Sequence, residues 1–151
     1  MANRVESQLT EILFQSLQKE RFVILSTVDF ETGGPNVNAL SWVLAKDVQT
    51  IYFAVDNRSR IIENINKHKK TVLTLLVDES TFSVSGDAFI KMQKMDDVPL
   101  KLALIQMTIN EVRDVMFYGS KIVTEPEYDK TYDKKAAERL DHQIMEAMRI
   151  K

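Results

Sequence analysis

The spacing of apolar residues changes from a helical to a strand-like repeat near residue 20. Over Arg4–Lys19, apolar residues recur at helical spacing with charged residues between them, which predicts an amphipathic helix with one buried stripe. Phe22–Val28 is apolar on both faces and rich in β-branched residues, which predicts a buried strand. Two glycines and a proline in the segment 29–35 then predict a turn.

The rest of the chain predicts five more strands and two more helices. The strands are Asn36–Ala45, Thr50–Val55, Lys70–Val77, Thr81–Met92 and Leu102–Met116. The helices run from Ser59 to about Lys67 and from Asp129 to Ile150. Six strands, mostly antiparallel and joined by short turns, predict a mainly β fold with flanking helices, arranged as a small barrel. The chain has no repeat or linker, so we expect residues 1–151 to form a single domain.

A polar turn between the third strand and the following helix is the first candidate site. Asp56, Asn57 and Ser59 are residue types that cap helices, and Arg58 and Arg60 flank the serine. The start of a helix carries free N–H groups and partial positive charge, which favour an anion. Two guanidinium groups added there would suit a phosphate. The alternative is a capped surface helix with two solvated arginines.

Composition excludes several classes of function. A net charge of -2 offers no general attraction for nucleic acid. With 0 cysteines, the chain has no disulfide, no thiol catalysis and no thiolate metal site, which is consistent with a reducing cytoplasm. The first residues lack the pattern of a signal peptide, and the most continuous apolar strand is too short to cross a bilayer. We therefore expect a cytoplasmic protein that binds neither nucleic acid nor membrane.

Several motifs, taken in order, resemble the flavin-binding split-barrel proteins related to pyridoxamine 5′-phosphate oxidase. The matching segments are Leu25–Asp29, Gly34–Trp42, Ile51–Val55, Arg58–Arg60, Asn64–Ile65 and Lys70–Val77. The resemblance implies a six-stranded antiparallel split β-barrel that forms a homodimer with two FMN molecules at the subunit interface. The small members described as general stress proteins are the nearest in length.

The resemblance also implies which residues bind the cofactor. The strand 38–42 would lie against the isoalloxazine ring, and the turn 57–60 would hold the FMN phosphate. The residues implied to bind FMN are Asn38, Ala39, Leu40, Ser41, Trp42, Val55, Asn57, Arg58, Ser59 and Arg60. No catalytic acid or base is indicated, and the flavin would supply the redox chemistry.

Two departures from the family pattern limit the functional prediction. Ile61 stands where the family usually has a lysine, two residues after the phosphate-binding serine. The chain also ends in a charged helix instead of the segment that grips the substrate in true pyridoxamine 5′-phosphate oxidases, so we do not expect that activity. The prediction is an FMN-binding, oxidoreductase-like protein. The alternative is a non-enzymatic dimeric binding or stress protein with a weak or vacant flavin site.

The remaining chemistry-bearing residues have ordinary interpretations beside functional ones. Trp42 either borders the flavin ring or packs in the core or the dimer interface. His68, beside three lysines, and His142 are predicted to be surface residues, and no pair of histidines or carboxylates has metal-ligand spacing. Their placement and the lack of cysteine also count against a third alternative, a haem-handling relative of the same fold.

Overall fold

A computed structural model describes residues 5–151 as an antiparallel sheet flanked by three helices, which confirms the mainly β fold class. The strands are β1 Val5–Glu6, β2 Val23–Val28, β3 Pro35–Leu40, β4 Val43–Asp47, β5 Thr50–Asp56, β6 Lys70–Val77, β7 Ser80–Met92 and β8 Leu102–Asp114. The helices are α1 Glu11–Ser16, α2 Arg60–Lys67 and α3 Lys134–Arg149. No helix among these residues is both long and apolar enough to cross a bilayer.

The predicted count of six strands is wrong, because the sheet has eight. One addition lies inside the predicted N-terminal helix: β1 pairs with β8, with Val5 opposite Arg113. The helix itself is only α1, which begins after the Thr10 cap, whose hydroxyl accepts a hydrogen bond from the Leu13 N–H. Arg4, the predicted first residue of that helix, lies outside the described residues.

The second addition arises because the predicted strand Asn36–Ala45 is two strands, β3 and β4, with a break at Ser41 and Trp42. Near this break the Ser41 carbonyl accepts hydrogen bonds from the N–H groups of Arg21 and Val43, at 3.1 and 3.0 Å. The chain therefore leaves the β2 ladder at Leu40 and joins the β5 ladder at Val43. An uninterrupted apolar pattern does not reveal this change of partner.

The sheet is open, with the order β3-β2-β6-β7-β8-β5-β4, and all of its pairs are antiparallel. Its two ends, β3 and β4, follow each other in sequence. The free edge of β3 pairs with no strand of residues 5–151, and most of its side chains are exposed. An unpaired edge leaves backbone donors and acceptors available to a ligand or to another chain.

The pleat of β5 divides the core into two clusters. Ile51, Phe53 and Val55 belong to the main cluster, which α1 and α2 cover, because successive side chains point to opposite faces of a strand. Tyr52 and Ala54 belong to the second cluster, which the buried face of α3 covers with Ile144, Met145, Ala147 and Met148. The C-terminal helix therefore lies against the strand that also leads into the polar turn at residues 56–60.

Asn64 of α2 joins the strands next to the open end of the sheet. Its side chain is 1% exposed. The amide nitrogen donates to Thr27 Oγ1 at 3.0 Å and to Asn36 Oδ1 at 2.8 Å, and the amide oxygen accepts from the Phe30 N–H at 2.8 Å. One side chain thus fixes β2, β3 and the turn between them relative to α2.

Replacing Asn64 by alanine is expected to lower the free energy of unfolding by about 2 kcal/mol, because buried partners lose their hydrogen bonds. Asn66→Ala is the matched control, since Asn66 is exposed on the same helix. Urea denaturation of both variants measures the difference. Equal stabilities for the two variants would contradict the assigned role of Asn64.

Candidate functional site

A cavity of about 330 Å³ opens between the end of β3, the end of β5 and the start of α2. Its lining combines apolar side chains with backbone and a few polar groups, and consists of Asn38, Ala39, Leu40, Ser41, Trp42, Ala54, Val55, Asp56, Ser59 and Ile61. This volume lies in the range of about 300–1,000 Å³ that is usual for small-molecule sites. Seven of the ten sequence-predicted site residues meet here, while Asn57, Arg58 and Arg60 lie outside the lining.

The start of α2 supplies the polar end of the cavity. Ser59 is its N-cap, and its hydroxyl accepts from the Ile61 N–H at 3.2 Å. The preceding turn is closed by the Ser59 N–H, which donates to the Asp56 carbonyl at 2.9 Å. The cap predicted from sequence therefore forms at Ser59, and the helix N-terminus adds partial positive charge at that end of the cavity.

Arg58 points mainly to solvent beside the carboxylate of Asp56. Its Nε and Nη2 atoms lie 3.3 Å from the two Asp56 oxygens, and its side chain is 83% exposed. The hydrogen bond from Arg58 lowers the pKa of the Asp56 carboxyl, which also accepts from the Arg58 N–H. Asp56 is therefore a carboxylate in the cavity lining, partly neutralised from outside by Arg58.

Arg60 is held by two carboxylates of the β2–β3 turn. Its Nε donates to Asp29 Oδ1 at 2.7 Å, and its Nη2 contacts Asp29 Oδ2 at 3.2 Å and Glu31 Oε1 at 2.8 Å. The guanidinium also stacks over the Phe30 ring, 4.5 Å from its centre. The hydrogen bond from Arg60 holds the pKa of Asp29 well below its usual range. Nη1 of Arg60 makes no hydrogen bond to any of residues 5–151.

The charge of the cavity differs from the sequence prediction. Ile61 is 3% exposed and lines the cavity at the position where a lysine was expected from the family pattern. Among the described residues that line the cavity, Asp56 is the only charged side chain. Sequence reasoning did not assign Ala54, Asp56 and Ile61 to the lining, although each adjoins a residue that it did assign, Val55 or Arg60.

Trp42 connects the cavity to the C-terminal helix. Its indole Nε1 donates to Asp141 Oδ1 of α3 at 2.8 Å, while the side chain lines the cavity. The Trp42 carbonyl accepts from the Ala54 N–H of β5 at 3.0 Å. Nothing in the sequence pairs Trp42 with Asp141, because the two residues are 99 positions apart.

The two histidines lie away from the cavity. His68 follows α2, where its N–H donates to the Asn64 carbonyl at 2.8 Å, and His142 is exposed on α3. Within residues 5–151, no group of three or more His, Asp or Glu side chains has the arrangement of a metal site.

The fold and family of the chain follow from comparisons with known proteins. A sequence profile described as Pyridoxamine 5'-phosphate oxidase matches residues 9–143. A candidate pyridoxamine 5′-phosphate oxidase from Lactobacillus delbrueckii has a similar structure, with a TM-score of 0.59 and 22% identity over 74% of this chain and 98% of that chain. No match was found among curated proteins.

Two further solved structures share this fold. HupZ from Group A Streptococcus has a TM-score of 0.59 and 12% identity, covering 77% of this chain and 99% of that chain. General Stress Protein 26 from Bacillus anthracis has a TM-score of 0.55 and 19% identity, covering 68% of this chain and 90% of that chain. At these identities the likeness shows the split-barrel fold alone.

Proposed function

This chain belongs to the pyridoxamine 5′-phosphate oxidase family, and we propose that it binds FMN in the cavity beside Trp42 as an oxidoreductase-type flavoprotein. The observation that carries the proposal is that one cavity collects Asn38–Trp42, Val55 and Ser59 from three separate elements. When bound, FMN would supply the redox chemistry, and the protein would bind and orient it.

The ring end of the cofactor suits the wall formed by residues 38–42. Leu40, Trp42 and Val55 offer apolar contact for a flat aromatic ring. The free edge of β3 offers backbone N–H and C=O groups for the polar edge of that ring. Asp56 has a lowered pKa and therefore remains a carboxylate at neutral pH, where it accepts hydrogen bonds but donates none.

The phosphate end requires Ser59, the start of α2, and the two arginines. Ser59 lines the cavity and caps the helix, whose N-terminus favours an anion. Arg60 uses Nε and Nη2 on Asp29 and Glu31, which leaves the Nη1 group for a phosphate oxygen. Arg58 would have to turn from Asp56, and its exposure of 83% gives it that freedom.

We propose that the functional unit is a homodimer. The exposed side chains of β3, including Val37 at 65% exposure, and the part of its free edge that the flavin does not contact would be covered by a second copy. An uncovered edge of this kind invites pairing with other chains, and a specific partner removes that hazard.

The alternative function is a dimeric binding protein without enzymatic activity and with a weak or vacant flavin site. Ile61 in the cavity wall favours it, because an apolar side chain cannot neutralise a phosphate. Asp56 also favours this alternative, because its carboxylate in the cavity lining repels an anionic phosphate.

The protein purified from its native host is expected to be yellow, with an absorbance maximum at about 450 nm, and to release FMN on denaturation. Mass spectrometry of the released molecule identifies it, and FMN titration of the emptied protein measures affinity. Light scattering on the same sample tests the dimer. Failure to bind FMN at millimolar concentration would exclude the flavoprotein proposal, and a monomer would exclude the homodimer.

A further inference from the structure

Among residues 5–151, the indole of Trp42 has one hydrogen-bond partner. Its Nε1 donates to Asp141 Oδ1 at 2.8 Å, and Asp141 belongs to α3, whereas Trp42 lies in the break between β3 and β4. Trp42 packs at the margin of the second core cluster and faces the cavity. The angle of the ring at the cavity wall therefore depends on a helix that itself contributes no lining residue.

Asp141 is in turn fixed by a half-buried ion-pair chain. Its Oδ2 lies 3.0 Å from Nζ of Lys130, which also donates to Glu20 Oε2 at 2.8 Å. The side chains of the three residues are 13–24% exposed, so solvent screens the pairs only in part. Burial lowers the pKa of Lys130, but its hydrogen bonds to Glu20 and Asp141 outweigh this effect and raise the pKa. Lys130 therefore stays charged.

The far end of α3 is also tied to the strand that follows Trp42. Nζ of Lys46 in β4 donates to the carbonyls of Met148 and Arg149, at 3.3 and 2.6 Å. A guanidinium nitrogen of Arg149 donates to the Gln18 carbonyl. Since Lys46 is four residues from Trp42 in the chain, α3 is tied to this segment at two points, at its middle through Asp141 and at its C-terminal end.

We propose that Asp141, held in place by Lys130, is a positioning residue that sets the orientation of Trp42 at the wall of the cofactor cavity. Its effect on a ligand rests on the proposed flavin function, but its effect on the indole does not. The bond from Nε1 fixes the rotation of a large flat ring, and a flat ligand stacked beside Trp42 would require that rotation. The C-terminal helix thereby sets the geometry of the ring end of the site and does not act on the phosphate end.

Trp42 is the only tryptophan, so its fluorescence reports on this contact without any ligand. Asp141→Ala is expected to shift the emission to longer wavelength and to increase quenching by acrylamide, because the freed indole turns toward solvent. Asp141→Asn keeps an acceptor oxygen and is expected to restore most of the original signal. Glu138→Ala, an exposed acid on the same helix, is the matched control and is expected to change nothing. An unchanged emission and quenching in Asp141→Ala would overturn the proposal.

Ligand binding then separates this proposal from the flavin proposal. Asp141→Ala is expected to weaken FMN and riboflavin equally, by about tenfold, because the effect acts on the ring that both share. A shifted emission with no flavin binding, even by the unaltered protein, would remove the proposed function and keep the positioning role. If Asp141→Ala unfolds, Lys130→Met replaces it in the same two measurements. A folded Lys130→Met with unaltered emission and affinity would then overturn the proposal.

Discussion

Replacing Arg58 and Arg60 together by alanine is expected to weaken FMN binding by about 100-fold and to leave riboflavin binding unchanged. Each arginine would give a charge-assisted hydrogen bond to the phosphate, which riboflavin lacks, and such bonds contribute about 1.5–3 kcal/mol each. We take the lower part of that range, because both guanidinium groups also form ion pairs with carboxylates of the protein. Titration followed by flavin fluorescence measures both affinities.

The structural role of Arg60 must be separated from its proposed role toward the FMN phosphate. Without Arg60, the Asp29 carboxylate, whose side chain is 5% exposed, loses its cation, and the β2–β3 turn loses one of its links to α2. Arg58→Ala alone leaves that link intact, and Arg139→Ala, an exposed arginine on α3, controls for net charge. Equal losses of FMN and riboflavin affinity in the double variant would indicate a distorted turn and would remove the phosphate role.

Replacing Gly86 by alanine is expected to destabilise the protein by about 3 kcal/mol or more, since overpacking against fixed backbone is costly. A Cβ built at Gly86 would lie 2.4 Å from the Thr108 carbonyl oxygen and 2.9 Å from the Met107 methyl group. The methionine side chain can move, but the carbonyl belongs to the neighbouring strand β8. Gly86 also lies at an irregularity of the sheet, because the register of β7 against β8 shifts between Ser85 and Gly86.

Gly34→Ala is the matched control for this effect. The nearest atom to a Cβ at Gly34 is Thr32 Oγ1 at 3.4 Å, an ordinary contact, so a change within about 0.5 kcal/mol is expected. Chemical denaturation of both variants gives the comparison, with the midpoint reporting stability where the slope is unchanged. Similar midpoints for the two alanine variants would contradict this prediction and show that the backbone of β8 can move at Thr108.

Local pattern predicted most elements of the fold. The strand Lys70–Val77 has the predicted bounds, and α2 begins after the Ser59 cap that its sequence indicates. Errors occurred where long-range pairing decides the outcome. Val5 and Glu6 fit a helical repeat but pair with β8, and the break at Ser41 depends on which neighbouring strand each half joins.

The candidate site was predictable to the extent that it is built from neighbouring residues. The Ser59 cap was predictable from local residues, whereas the meeting of Asn38–Trp42 with Ser59 in one cavity was implied only by the family resemblance. The partners of Arg60 were not predictable, because Asp29 is 31 positions away and its carboxylate is placed by the turn. The sequence of a segment shows which charged residues it carries. It does not show which oppositely charged residues from the rest of the fold will pair with them.

The bond between Trp42 and Asp141 has a consequence for the order of events during synthesis. The chain emerges from the ribosome at about 5–20 residues per second, so Asp141 follows Trp42 by roughly 5–20 seconds. All strands of the sheet precede α3, and they can begin to pair in that interval. During this interval the Trp42 indole lacks its acceptor, Asp141. A flavin that bound the nascent chain so early would contact Trp42 before the orientation of its ring is fixed.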